Sequence, residues 1–272
     1  MEICCPICGA PLCAAQRCLK CAAGHSFDIA HQGYVNLLLP DQRHSRHPGD
    51  TKEMVAARRR FLRSGIYRPI ALQMQALLQS LPQGAVVLDA GCGEGYYLSE
   101  LLQARPDLCC YGIDISKDAV RYAAGAEKHA KWVAGSAAHL PFADGSFDAV
   151  LCMFAMVVPD EFARVLKPDG IFLNVTAGRS HLTGLKQIIY PEILEKSEMN
   201  HAFLGFSAPE QTHLAFDFSV EGREMVQDLL WMTPHVWRIS KEGAARAAET
   251  TRLDDRAEVD FWRYRRSRFT PN

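Results

Sequence analysis

Between residues 86 and 176 the chain alternates short apolar runs with stretches of helical period. The runs at 86–89, 109–115, 132–135, 147–154 and 171–176 read as buried strands, and 95–103, 117–127 and 159–167 between them read as helices. Repeated strand-then-helix order predicts an α/β fold with a mainly parallel, doubly wound sheet and a site at the carboxyl ends of its strands. Upstream, 51–62 and 67–81 carry amphipathic helices, preceded over 26–50 by a loop-rich linker punctuated by Gly33, Pro40, Pro48 and Gly49. After 176 the alternation loosens. Helices are expected at 182–190 and 223–232 and strands at 213–220 and 259–264, while 191–211 fits neither period and is expected to be an insertion or a lid over the site.

Composition adds a second module. The 272 residues, 48% hydrophobic, suffice for one domain of about 200 residues plus a small appendage. No run approaches the ~20 apolar residues of a membrane helix, and the N-terminus lacks the layout of a signal peptide, so the chain is expected to be cytoplasmic with no membrane partner. In that compartment clustered cysteines point to metal rather than to disulfides, and six of the ten cysteines lie within the first 21 residues. Cys5 and Cys8 form a Cys-x2-Cys knuckle, and Cys21 with His25 supplies a second chelating pair. Two such pairs make a closed tetrahedral zinc site, whose binding energy would fold a segment with so small a core. Cys18 makes its own Cys-x2-Cys with Cys21, so a Cys5, Cys8, Cys18, Cys21 set is the alternative. A four-protein-ligand zinc has no open position for water and is scaffold.

The net charge of -1 gives no global field for nucleic acid. Local basic density is highest from Arg43 and Arg46 through Lys52 and Arg58-Arg59-Arg60 to Arg63, and again at Arg263, Arg265, Arg266 and Arg268. Such a run is either a solvated helix face or an RNA-backbone contact.

The strongest chemical signal is Leu88-Asp89-Ala90-Gly91-Cys92-Gly93-Glu94-Gly95-Tyr96-Tyr97, after a strand and opening a helix. Gly91, Gly93 and Gly95 permit a tight turn that a ligand can approach closely, as in nicotinamide and flavin folds. Asp89 and Glu94, however, would repel a pyrophosphate and suit a ligand bearing an ammonium and a sulfonium. Asp114, closing the second strand, is placed to accept ribose hydroxyls. With the Leu140-Pro141-Phe142 turn and Arg164-Val165-Leu166-Lys167-Pro168-Asp169-Gly170, residues 85–177 resemble a class I, Rossmann-like methyltransferase using S-adenosyl-L-methionine. Ser136 departs from the pattern, standing where many members carry an adenine-reading aspartate.

The knuckles and this core together resemble the RlmA family, whose members methylate ring nitrogen 1 of a guanine in a hairpin loop of 23S ribosomal RNA. Further carriers are Phe27-Asp28, Gly33-Tyr34-Val35-Asn36-Leu37-Leu38, Pro48-Gly49-Asp50, Ala57-Arg58-Arg59, Phe61-Leu62, Gly65 with Tyr67, and Met232-Thr233-Pro234 with Trp237. The resemblance implies zinc ligands at Cys5, Cys8, Cys21 and His25, cofactor contacts at Tyr67, Gly95, Tyr96, Asp114 and His181, and a homodimer whose cleft takes the RNA hairpin. It divides the chain into a zinc-binding RNA-recognition module (1–36), a linker and helix (37–66) and a methyltransferase domain (67–272). The family's two branches methylate neighbouring guanines, and one includes macrolide-resistance determinants.

Methyl transfer from a sulfonium needs positioning more than activation, and no residue stands out as the base for the guanine proton. Phe154-Ala155-Met156-Val157-Val158-Pro159 lacks the Asn/Asp-Pro-Pro-Tyr/Phe clamp of amino-group methylating enzymes, which suits a ring-nitrogen target, and Phe154 is a candidate to stack on the base. Competing readings are a small-molecule methyltransferase, with which the Leu140-Pro141-Phe142 turn is shared, and a zinc-mediated adaptor that has lost turnover.

Overall fold

The structure is a computed structural model and describes residues 2–42, 49–193 and 200–267. Its N-terminal part is a three-stranded antiparallel ribbon, β1 (Cys13–Ala15), β2 (Cys18–Lys20) and β3 (Ser26–Asp28). The next strand, β4 (Tyr34–Asn36), does not belong to that ribbon. It runs parallel to β7 (Lys131–Ala134) as the edge of the large sheet, Tyr34 opposite Trp132 and Asn36 opposite Ala134. Within the first 36 residues the chain thus already enters the large sheet, and the buried Val35 packs both there and against Cys5, Leu12 and Cys21 of the ribbon.

Two helices follow, α1 (Lys52–Arg63), capped by the Thr51 hydroxyl accepting from the Met54 amide, and α2 (Arg68–Leu77), with proline in its first turn. The doubly wound unit then runs β5 (Val86–Ala90), α3 (Tyr96–Ala104), β6 (Cys109–Asp114), α4 (Lys117–Ala126), β7, β8 (Phe147–Met153), α5 (Pro159–Val165) and β9 (Leu166–Ala177). Beyond it come α6 (Thr183–Ile189), β10 (Glu210–Glu221), α7 (Arg223–Trp231), α8 (Lys241–Glu249) and β11 (Arg252–Arg265). The strand order is β10-β11-β9-β8-β5-β6-β7-β4, parallel from β9 to β4 and antiparallel where β11 joins β9 and β10 joins β11. Apolar layers cover both faces. One holds Ile70, Leu98, Val120, Leu229 and Phe261, and the other Tyr111, Phe142, Phe162, Phe172 and Tyr264. No helix of the described residues is long and apolar enough to cross a membrane.

Three expectations are corrected. The strands at 213–220 and 259–264 are longer, because β11 starts at Arg252 and buries Leu253, Asp255, Ala257 and Val259 at period two between charged outward residues. Helix α8, unforeseen, packs through Gly243 and Ala247, too small to give an apolar period. The lid expected at 191–211 is not one over its described part. Phe203 and Phe206 pack on Phe172 and Tyr264 across the sheet face, and residues 194–199 lie outside the described residues.

Candidate functional site

A cavity of about 660 Å³ opens at the carboxyl ends of β5, β6 and β8, where the strand order reverses. Its floor is the glycine loop between β5 and α3. Gly91 holds φ of +85°, and a Cβ there would sit 2.4 Å from the Ala155 methyl. Gly95, at +86°, would drive one into the Trp132 ring at 2.6 Å. Both positions therefore exclude side chains on conformational and steric grounds. Asp114, ending β6, fastens the loop: its carboxylate accepts from the Gly93 amide at 2.9 Å and from the Ser116 amide at 2.8 Å. Each oxygen retains a second lone pair for a ligand hydroxyl.

The cavity gathers four carboxyl groups, Asp50, Asp89, Glu94 and Asp114, with Arg58, Lys186 and Arg238 also on its lining. Asp89 is 1% exposed, neither carboxylate oxygen has a hydrogen-bond partner among the described residues, and burial followed by the nearby Asp114 and Glu94 pushes it up to about 8. Burial likewise raises Glu94 to about 7, against the pull of Arg58, and raises Asp114. A buried carboxylate without partners is costly and marks a place where a cation belongs. The ammonium and sulfonium of S-adenosylmethionine fit this donor set, and a pyrophosphate does not.

Tyr67, at the start of α2, and His181, in the loop before α6, come together on the cavity wall. The Glu258 amide donates to His181 Nδ1 at 3.1 Å, so Nε2 carries the ring hydrogen and faces the Tyr67 hydroxyl at 3.3 Å. Burial drives the Tyr67 phenol far above its ordinary range. Phe154 stacks on His181, rings 6.1 Å apart and 27° inclined, and leans toward Tyr97. Phe154 and Leu182, both lining the cavity, hold φ of +55°, a left-handed conformation that costs about 1 kcal/mol or more for bulky residues. Phe154 keeps 37% of its surface exposed at the mouth. Ser136 also lines the cavity, together with Ala137.

In the ribbon, the ligand atoms of Cys5, Cys8, Cys21 and His25 all lie within 4.8 Å of one another. Cys8 and Cys21 sulfurs are 3.7 Å apart, and His25 Nδ1 stands 3.5 Å from Cys5 and 3.4 Å from Cys21. Sulfurs ~2.3 Å from a tetrahedral ion are separated by about 3.7 Å, so the four residues fit zinc. The alternative set with Cys18 does not form, because the Cys18 thiol points away and donates to the Ala15 carbonyl at 3.1 Å. The ribbon docks on the Leu140-Pro141-Phe142 turn. The Cys4 amide donates to Pro141 at 2.8 Å and Ile3 bridges to Phe142. Arg164 pins that turn from below, donating to the Leu140 and Phe142 carbonyls and to Glu161.

The basic run does not make one patch. Arg58 turns into the cofactor cavity and pairs with Asp50 at 2.7 Å, Arg59 lies over the Tyr122 ring at 4.7 Å, and Arg60 pairs with the buried Asp228 at 2.5 Å. Arg58 is thus a lining residue of the cavity and not part of a solvated helix face. Near the C-terminus, Arg263 pairs with Glu210 while Arg265 and Arg266 donate to the Asp169 and Leu166 carbonyls. Arg43, Arg46, Pro48 and Arg268 lie outside the described residues. Among the charged and histidine residues lining the cavity, those that sequence reasoning had not assigned to it are Asp50, Arg58, Lys186, His235 and Arg238. Asp50 and Arg58 had a signal, inside the Pro48-Gly49-Asp50 and Ala57-Arg58-Arg59 segments, and His235 had one as the neighbour of Met232-Thr233-Pro234.

Comparison with known proteins agrees with both halves. Residues 3–46 match the family model "RlmA, N-terminal" and residues 87–170 match "Methyltransferase domain". A candidate 23S rRNA (guanine-N(1)-)-methyltransferase of Micromonospora griseorubida is 40% identical over 201 residues, covering 66% of this chain and 67% of its own. The 23S rRNA (guanine(748)-N(1))-methyltransferase of Streptomyces fradiae is 40% identical over 185 residues, covering 66% and 65%. Bacillus subtilis YxjB, another candidate 23S rRNA (guanine-N(1)-)-methyltransferase, is 30% identical over 271 residues, covering 94% of each chain. With an anionic cavity for S-adenosylmethionine and a structural zinc ribbon built into one sheet's core, this chain belongs to the RlmA family of methyltransferases.

Proposed function

We propose that the chain transfers a methyl group from S-adenosylmethionine to ring nitrogen 1 of a guanine in a hairpin loop of 23S rRNA, acting as a homodimer. What carries the reading is the similarity, over ribbon and sheet together, to proteins named for that reaction. We assign the cofactor to Tyr67, Asp89, Gly91, Gly93, Gly95, Tyr96, Asp114 and His181, and the zinc to Cys5, Cys8, Cys21 and His25.

The bound cofactor supplies a methyl on a cationic sulfur, which leaves as a neutral thioether. This chain's work is placement and charge. Asp89 and Glu94 would hold the positive end and Asp114, which braces the glycine loop, would hold the sugar, while the Tyr67–His181 pair forms part of the cavity wall. Phe154, held left-handed at the mouth, offers its exposed face to a flipped base, for which a loop guanine costs less to extract than a paired one. Stacking presents a ring nitrogen in plane, whereas a clamp for exocyclic amines is missing from 154–159.

The test is methyl transfer from labelled cofactor to unmodified 23S rRNA, followed by mapping of reverse-transcription stops, since methylation at nitrogen 1 blocks pairing. A single stop in a hairpin loop is expected. Cofactor binding without incorporation into RNA would move the assignment to a small-molecule substrate.

A further inference from the structure

Helix α1 separates two cavities. Arg58 faces the cofactor, and the next residue, Arg59, faces a second cavity of about 490 Å³ between α1 and α4. Lys52, Arg59 and Arg63 enter it from α1 and Arg121 from α4, while Asp118 is the one carboxylate among its described lining residues. Four cations thus face one anion in a chain whose net charge is -1. Asp118 is ion-paired with Arg121 at 3.4 Å and leaves Lys52, Arg59 and Arg63 as the excess of positive charge.

Two arginines of this cavity, Arg59 and Arg63, differ from their neighbours in what they touch, while Arg121 is paired with Asp118. Arg58 and Arg60 each have a carboxylate, whereas Arg59 and Arg63 lie over the Tyr122 ring, at 4.7 and 6.0 Å. Stacking occupies the flat face of a guanidinium and leaves its edge of N–H groups for a bidentate acceptor. Arg59 Nε is buried and has no hydrogen-bond partner among the described residues. A buried donor without an acceptor is rare in a finished structure, and in a concave site ringed by cations the missing acceptor is an anion.

We propose that this cavity is a phosphodiester site, seating the backbone of the RNA one helix width, about 10 Å, from the base being methylated. It rests on the RNA reading above. A phosphate held there would set the register of the strand against the cofactor cavity while reading no base.

The test measures binding of the full chain to the 23S hairpin and to an unrelated hairpin of equal length, over a range of salt. Arg63 and Arg121 are exposed, so their replacement should not disturb the core. Arg63→Ala and Arg121→Ala are each expected to weaken both RNAs alike, by about tenfold, and to lower the salt slope by about one. Arg63→Lys, which keeps the charge but not the stacked bidentate edge, should recover only part of the affinity, and Asp118→Asn should raise it, all with cofactor affinity unaltered. If the unaltered chain binds RNA and the alanine variants match it in affinity and slope, the site is refuted and the methylation reading stands. If the unaltered chain binds cofactor but neither RNA, both fall.

Discussion

Cofactor binding should expel a proton, and Asp89 is the reason. Its carboxyl, pushed up to about 8 by burial, is mostly protonated at pH 7 before the cofactor arrives. A unit positive charge about 4 Å away is worth ~4 kcal/mol at an effective dielectric of 20, or about three pKa units, which would return the group to roughly 5. Affinity should then climb as pH rises from about 5 to about 8, by up to tenfold per unit from this group alone, and level off above 8. Glu94, raised to about 7, steepens the lower part of that range. The same shift has the opposite sign for the cofactor-free fold. An acid whose folded pKa lies above its unfolded one favours folding below the unfolded value, so this contribution is lost as pH rises from about 4 to about 8. Asp89→Asn removes the charge and both effects. It should weaken the cofactor by about a thousandfold above pH 8 and by about a hundredfold at pH 7, where the wild-type carboxyl must first ionise. Calorimetric titration in two buffers of different ionisation enthalpy, from pH 6 to 8.5, counts the proton directly. Equal affinity across that range, or a proton count that Asp89→Asn leaves unaltered, would refute the reasoning.

Two further outcomes follow from the ribbon and from the mouth of the cavity. The chain should hold one zinc, lost on chelation and in Cys21→Ser or His25→Ala but retained in Cys18→Ser, as metal analysis after gel filtration will read; the loss should unfold the ribbon, since structural zinc supplies about 10 kcal/mol or more to such modules. Phe154→Ala should lower kcat/KM for RNA by about ten- to a hundredfold, the worth of one stacked base, with Phe154→Trp retaining most of it; an unchanged kcat/KM would remove Phe154 from the base site.

Much of the parallel sheet was readable because a strand buried on both faces is a nearly continuous apolar run, as at Val86–Ala90 and Phe147–Met153, each interrupted by a single aspartate. Strand β4 was not, since Tyr34–Asn36 is three residues long and its partner lies about a hundred positions away. Nor was the start of β11, where Asp254, Asp255 and Arg256 look like a loop. Asp255 is nevertheless buried, accepting the Gly184 and Leu185 amides that open α6. At the site, Gly91, Gly93, Gly95 and Asp114 announce themselves by spacing. The isolation of Asp89 does not, because a missing partner is a property of three dimensions. The arginine run shows the converse. Successive residues of a helix turn by about 100°, so Arg58, Arg59 and Arg60 must point three ways and could never have formed a single face.

The zinc ribbon is not a bead on a tether. Cys5, Leu12 and Cys21 share an apolar cluster with Val35, Leu140 and Phe142, and the backbone of Ile3 and Cys4 is bonded to the turn that this class of sheet carries beyond its third core strand. Arg164 and Glu161 fix the same turn from α5, whose N-terminus begins just after the Phe154 platform. Ribbon, turn, α5 and platform are therefore consecutive pieces of one packed unit, so an RNA held on the ribbon would meet the methyl donor at a set distance. A substrate can be chosen by such spacing with few base contacts, which is how a chain of near-neutral charge can act on one guanine among many. Selection by geometry would also account for a scaffold zinc, with no chemistry of its own, being packed against the sheet's turn instead of appended to it.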